Sequence, residues 1–157
     1  MVHRQGVADF IGIPTVGGLS LLHLQSAAFT AFPRNRAHVY PESDLFRKMP
    51  EVFATAFMVG FMEWACMEAL QPYLEEGERT LGTMINVTHQ AATPAGMTVT
   101  AHVKCLEVDG KRTLWEIEAR DEVEIIGKGT HERFTVNNDK FIARIATKGV
   151  NREVMGV

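Results

Sequence analysis

Hydrophobic and polar positions change their period twice along this chain, and each change marks an element. From Met1 to about Gln25 neither alternation nor a helical period holds, and scattered glycines leave the segment weakly specified. Ala27 to Phe32 is apolar enough for a short strand, after which Pro33, Asn35 and Pro41 punctuate a loop carrying Tyr40, Glu42 and Ser43. Pro50 and Glu51 stand where a first helical turn favours proline and an anion, and helix formers continue to about Leu74. That predicts one helix of roughly six turns. Its apolar residues, Phe53, Phe57, Met58, Phe61, Met62, Trp64 and Met67 among them, are spread around the whole circumference, so burial on most sides is expected.

Past Gly77 the period becomes two. Val99, Ala101, Val103 and Cys105 alternate with Thr98, Thr100, His102 and Lys104, and Trp115, Ile117 and Ala119 alternate with Glu116, Glu118 and Arg120. These read as half-buried antiparallel strands joined by a tight hairpin with Asp109-Gly110 at its centre. Thr80 to Gln90 and Ile125 to Val136 supply two more strands, and Asp139 to Thr147 a last short helix with Phe141 and Ile145 on one face. The order predicts an α+β fold, a curved antiparallel sheet of about five strands wrapped around one long buried helix. The expected organisation is an N-terminal extension over residues 1–25, a single domain over 26–148 and a C-terminal tail over 149–157. A sheet of this size leaves edges bare, so pairing with a second copy is expected.

Composition narrows the function classes. With 46% apolar residues in 157, the chain can bury a core as one domain. Its net charge of -3 and lack of a Lys/Arg cluster argue against nucleic acid or anionic lipid as partners. The apolar run Val52 to Met62 is too short to span a bilayer, and Gly17, Gly18 and His23 dilute a signal-like segment, so a cytoplasmic protein is expected. Cys66 and Cys105 sit in apolar stretches and read as free thiols. No CxxC, HExxH or other ligand spacing occurs, so no metal is expected.

Within that frame Glu63 is the anomaly, a carboxylate closing an apolar helical run. Burying it charged costs several kcal/mol unless it is paired. A glutamate at the helix rim, reaching solvent or a structural arginine, is the plain alternative. Thr55 lies eight residues earlier, ~12 Å along the axis, so the two need a histidine between them to communicate. A lone helical Thr is more often bonded back to a carbonyl. Among the histidines, His3, His23 and His38 belong to the extension and loop, and His102 to a polar strand face. His89, at a strand end before the turn Ala91 to Gly96, and the mid-strand His131 remain. The combination with Glu63 favours His89.

Several blocks together resemble a known family. Tyr40-Pro41-Glu42-Ser43, Pro50 through Thr55, Phe57-Met58-Val59-Gly60, Met62-Glu63-Trp64-Ala65-Cys66, Leu81-Gly82-Thr83, Val87-Thr88-His89, Ala91-Ala92-Thr93-Pro94 and Gly129-Thr130-His131-Glu132-Arg133 are similar, in the same order, to the fluoroacetyl-CoA thioesterase group of hotdog-fold proteins. The likeness covers about Phe29 to Phe141. It implies a hotdog-fold acyl-CoA thioesterase that needs no cofactor beyond its coenzyme A thioester substrate, and a homodimer with the site near the subunit interface. It also implies a catalytic Thr55, Glu63 and His89, a backbone N–H from Gly82 toward the substrate, and Arg133 near the site. Where the fluoroacetyl-selective member has a phenylalanine gating the acyl pocket, this chain has Met49, a more adaptable side chain. The expected reaction is hydrolysis of a small acyl-CoA, with Glu63 attacking the carbonyl or activating water, His89 relaying the proton, and Gly82 N–H with the Thr55 hydroxyl steadying the oxyanion. A hotdog acyl-CoA hydratase or dehydratase, and a non-catalytic acyl-CoA binding module, are the rival expectations.

Overall fold

The computed structural model describes residues 25–30 and 42–154. The N-terminal extension up to residue 24 and the loop through Pro33, Asn35, Tyr40 and Pro41 lie outside them. In chain order the elements are β1 (Gln25–Thr30), α1 (Asp44–Arg47), α2 (Thr55–Leu70) followed by a 3-10 turn (Gln71–Tyr73), β2 (Glu78–Val87), β3 (Thr98–Asp109), β4 (Arg112–Arg120), β5 (Ile125–Asn137) and α3 (Asn138–Val154). The strands form one five-stranded antiparallel sheet in the order β1-β3-β4-β5-β2, with α2 lying against it. The sheet against one long helix is what the pattern predicts, and it is the hotdog arrangement that the resemblance implies.

The period-two runs bury the residues they should. Val99, Ala101 and Val103 of β3 and Trp115, Ile117 and Ala119 of β4 face α2 and are buried, and Ile126 of β5 joins them. Met58, Phe61, Met62, Ala65, Cys66, Ala69 and Leu70 of α2 cover that surface, a stripe repeating every three to four residues. Apolar burial of this kind contributes roughly 1.5–3 kcal/mol for each large side chain.

Four expectations are corrected. The main helix begins at Thr55, not Pro50, because Val52 bridges to Pro94 and the Phe53 N–H donates to the Thr93 carbonyl at 2.9 Å, holding this stretch extended. Nor is α2 buried on most sides: Ala56, Gly60, Trp64, Met67 and Glu68 are exposed on the face away from the sheet. The hairpin turn is centred on Gly110 and Lys111, since Asp109 still pairs with Arg112, and Gly110 takes a φ of 58°. Finally, α3 runs to Val154, beyond the expected helix end at Thr147 and through most of the expected tail.

The edge strand β2 contains no buried residue, and its ladder with β5 slips between Gly82 and Met84, leaving Thr83 as a bulge. Cys66 is buried and Cys105 half-buried, both as free thiols, and burial pushes the Cys66 thiol up to about 12. No helix among the described residues is long and apolar enough to cross a membrane.

Candidate active site

The chemistry-bearing residues fall into two groups along α2. The first gathers at the helix start. Thr55 opens α2, and the preceding Ala54 makes no side-chain cap, so the first helical N–H groups and the positive end of the dipole are not satisfied by a capping side chain at that position. The Thr55 hydroxyl lies 2.8 Å from Nδ1 of His89. Two backbone bonds to β5 hold the His89 segment beyond the end of β2, Thr88 N–H to the Lys128 carbonyl and Gln90 N–H to the Ile126 carbonyl, each 2.8 Å. Thr93 secures the other side, its buried hydroxyl donating to Asp121 at 3.1 Å while its carbonyl fixes Phe53. Burial pushes the His89 imidazole below its ordinary value, against a raising contribution from the Ala91 backbone, so the ring is neutral near pH 7. Its Nε2 is shielded from solvent and has no hydrogen-bond partner among the described residues.

The second group forms about two turns farther along. Glu63 accepts from Arg133 Nη1 at 2.8 Å; the Arg133 side chain is 1% exposed and that of Glu63 41%. The remaining donors of Arg133 go to Thr80, from Nε to the hydroxyl at 3.0 Å and from Nη2 to the carbonyl at 2.8 Å. His131, two residues before Arg133 on the same face of β5, lies 3.0 Å from Arg133 Nη1 through Nε2 and 2.7 Å from the Met84 carbonyl through Nδ1. Gly82 stands directly beside them. A Cβ added there would lie 3.0 Å from Glu63 Oε1 and 3.0 Å from His131 Cε1, so any larger residue would push on both side chains. A cleft of ≈ 240 Å³ opens over this group, bounded by Val59, Glu63, Met84 and Ile85.

Thr55 and His89 are therefore brought together, and Glu63 is brought to Gly82 and Arg133, but among the described residues no hydrogen bond joins Glu63 to Thr55 or His89. Glu63 is half-exposed at the helix rim and paired with an arginine, where the sequence suggested deep burial beside an imidazole. Gly82 lies with Glu63 and not with the Thr55 hydroxyl. Arg133 sits behind Glu63 with its buried guanidinium bonded to Glu63, Thr80 and His131. Met49 is exposed between α1 and Pro50. Sequence reasoning set His131 aside and did not find the open start of α2. The signals were a buried-face pair at i and i+2 on β5, and the absence of Ser, Thr, Asp or Asn at position 54. Among the described residues no group of three His, Cys, Asp or Glu side chains is placed to hold a metal ion.

Comparison with known proteins gives consistent matches. Residues 36–139 match the family described as fluoroacetyl-CoA-specific thioesterase, FlK. A fluoroacetyl-CoA thioesterase from Streptantibioticus cattleyicolor is 55% identical over 111 residues, covering 71% of this chain and 80% of that protein. The solved structure of the fluoroacetyl-CoA thioesterase FlK superposes with a TM-score of 0.81 at 48% identity, covering 83% of this chain and 98% of that one. A variant of FlK in complex with fluoroacetate and CoA superposes with a TM-score of 0.76 at 49% identity, over 78% of this chain and 99% of that one.

Proposed function

Because this chain belongs to the fluoroacetyl-CoA-specific thioesterase family and is a thioester hydrolase, we propose that it hydrolyses small acyl-CoA thioesters using Thr55, Glu63 and His89. In this reaction an oxygen nucleophile bonds to the thioester carbon, the C–S bond breaks, and the coenzyme A thiolate leaves and takes a proton. Glu63 supplies the carboxylate, either as the base that takes a proton from the attacking water or as the nucleophile, in which case water then cleaves the acyl–glutamyl anhydride to free acid and restores the carboxylate; Arg133 holds it by one oxygen so that the other stays available. His89 carries the proton to the departing sulfur. The Thr55 hydroxyl orients His89 through Nδ1, and the uncapped start of α2 faces the developing oxyanion. Gly82 keeps the approach to Glu63 open.

The site is completed by a second copy. Thr55 and Glu63 are ~12 Å apart along one helix, while among the described residues nothing pairs with the outer edge of β2 and α2 has an exposed face carrying Trp64 and Met67. A two-fold pairing of these surfaces sets the start of one α2 against the middle of its partner, so that the Thr55 and His89 of one protomer face the Glu63 of the other. Residues 26–148 act as one catalytic domain within that dimer. Met49, flexible and exposed, makes the acyl pocket tolerant of groups other than fluoroacetyl.

The observation that carries this reading is His89, anchored by Thr55 at one nitrogen and, at the other, shielded and without a hydrogen-bond partner among the described residues. The test is a thiol-release assay over acetyl, fluoroacetyl, branched and aromatic CoA esters. Glu63→Gln and His89→Ala should each lower turnover at least a hundredfold. Near-normal turnover from either variant removes that residue, and hydration of an enoyl-CoA without thiol release replaces the reaction altogether.

A further inference from the structure

We infer that His131 is a positioning residue for the reaction: as a fixed Nδ1-protonated tautomer it aims Arg133 at Glu63. The inference rests on Glu63 being the catalytic carboxylate. Its geometry fixes the proton without ambiguity. The Met84 carbonyl 2.7 Å from Nδ1 can only accept, so Nδ1 carries the hydrogen. The Arg133 Nη1 3.0 Å from Nε2 can only donate, so Nε2 is the acceptor.

The same Nη1 donates to Glu63 at 2.8 Å, which makes the imidazole and the carboxylate the two acceptors of one guanidinium nitrogen. Thr80 holds the opposite side of that guanidinium through Nε and Nη2. Without an acceptor at Nε2, Nη1 is free to turn wholly toward Glu63 and draw the carboxylate off its line. A protonated His131 would present an N–H to a cation and break the arrangement, and burial disfavours that state. Besides Arg133, the charged groups acting on the ring are Glu63 from α2 and Glu132 from β5. The other end of the chain of bonds is the Met84 carbonyl, at the bulge of β2, so the irregularity of that edge strand has a use: it turns this carbonyl onto the imidazole.

The first experiment needs no variant. Nitrogen-15 shifts of His131 in the dimer at pH 7–8 should show a protonated Nδ1 and a bare Nε2, and an Nε2-protonated ring overturns the inference. Kinetics supply the second. His131→Gln keeps an acceptor for Arg133 and should retain kcat within about threefold, whereas His131→Leu should lose kcat at least tenfold with KM little changed. In an Arg133→Lys background, His131→Leu should add little further loss, because both changes remove one function. Equal losses from Gln and Leu, or additive losses in the double variant, leave His131 a packing residue and overturn the inference. Full turnover by Glu63→Gln would instead remove the catalytic reading while leaving the tautomer result standing.

Discussion

Arg133 and Glu63 form an ion pair in which the cation, not the carboxylate, is the buried partner, 1% against 41% exposed. The asymmetry decides what each residue contributes. Glu63 can be solvated if Arg133 is lost, but Arg133 has no other counterion among the ion pairs of the described residues. Glu63 is thus a structural neutraliser as well as the proposed reactive carboxylate.

The stability consequence is measurable. Glu63→Gln keeps an acceptor oxygen for Nη1 and removes the charge, so unfolding should be easier by about 1–2 kcal/mol; Glu63→Ala strands the buried guanidinium and should cost about 2–4 kcal/mol. Chemical denaturation of the purified variants reads both values. Equal and negligible losses would mean that Thr80 and His131 alone satisfy the cation.

How much of this was legible in the sequence depends on whether the cause was local. The strands were, because a half-buried antiparallel strand writes its burial into alternate residues, and Val99, Ala101 and Val103 do so on β3. The start of α2 was not. Pro50 and Glu51 are good first-turn residues, but the Thr93 carbonyl, forty residues away in sequence, captures the Phe53 N–H and delays the helix to Thr55. Glu63 stood out as a carboxylate in apolar surroundings. Its partner could not be identified, since Arg133 looks like any arginine in a polar run until the register of β5 with β2 places it beside Thr80 and Gly82. His131 failed to stand out for the same reason, because its role depends on a bulge in a neighbouring strand.

The two site histidines set a pH dependence of known sign. Burial is the first cause of depression for both His89 and His131, so each holds a proton less readily in the folded chain than in the unfolded one, where imidazoles titrate near 6.5. The unfolded state therefore binds more protons on acidification. Stability should be level above about pH 6.5 and fall as the pH drops below it, through the lowered folded values. The thermal midpoint measured from pH 8 to pH 5 should follow that course, with a smaller fall in His89→Asn. Catalytic efficiency should decline over the same interval as His89 takes up its proton. A midpoint that rises on acidification in this range contradicts the assignment.

Gly82 gives a test of precision in the site. Its φ does not demand glycine, but an added Cβ meets Glu63 Oε1 and His131 Cε1 at 3.0 Å, closer than such atoms normally come. Both must yield by a few tenths of an ångström. Gly82→Ala should consequently fold with a melting temperature close to the parent yet lose about tenfold or more in kcat, since small misplacements at a reacting centre are costly. Unchanged kcat would show that Glu63 needs no such exact placement.

The composite character of the site is open to the most direct test. If the Thr55 and His89 of one protomer work with the Glu63 of its partner, Glu63→Gln and His89→Ala damage opposite halves of each site. A heterodimer of the two variants then contains one site with both defects and one with neither. Random exchange makes half of the dimers mixed, so an equal mixture of two nearly inactive proteins should regain about one quarter of the parent activity. Size-exclusion chromatography would verify that exchange has produced dimers before the assay. Exchange without any regained activity would place Thr55, Glu63 and His89 in one chain, with the thioester itself spanning the two turns of α2 between them.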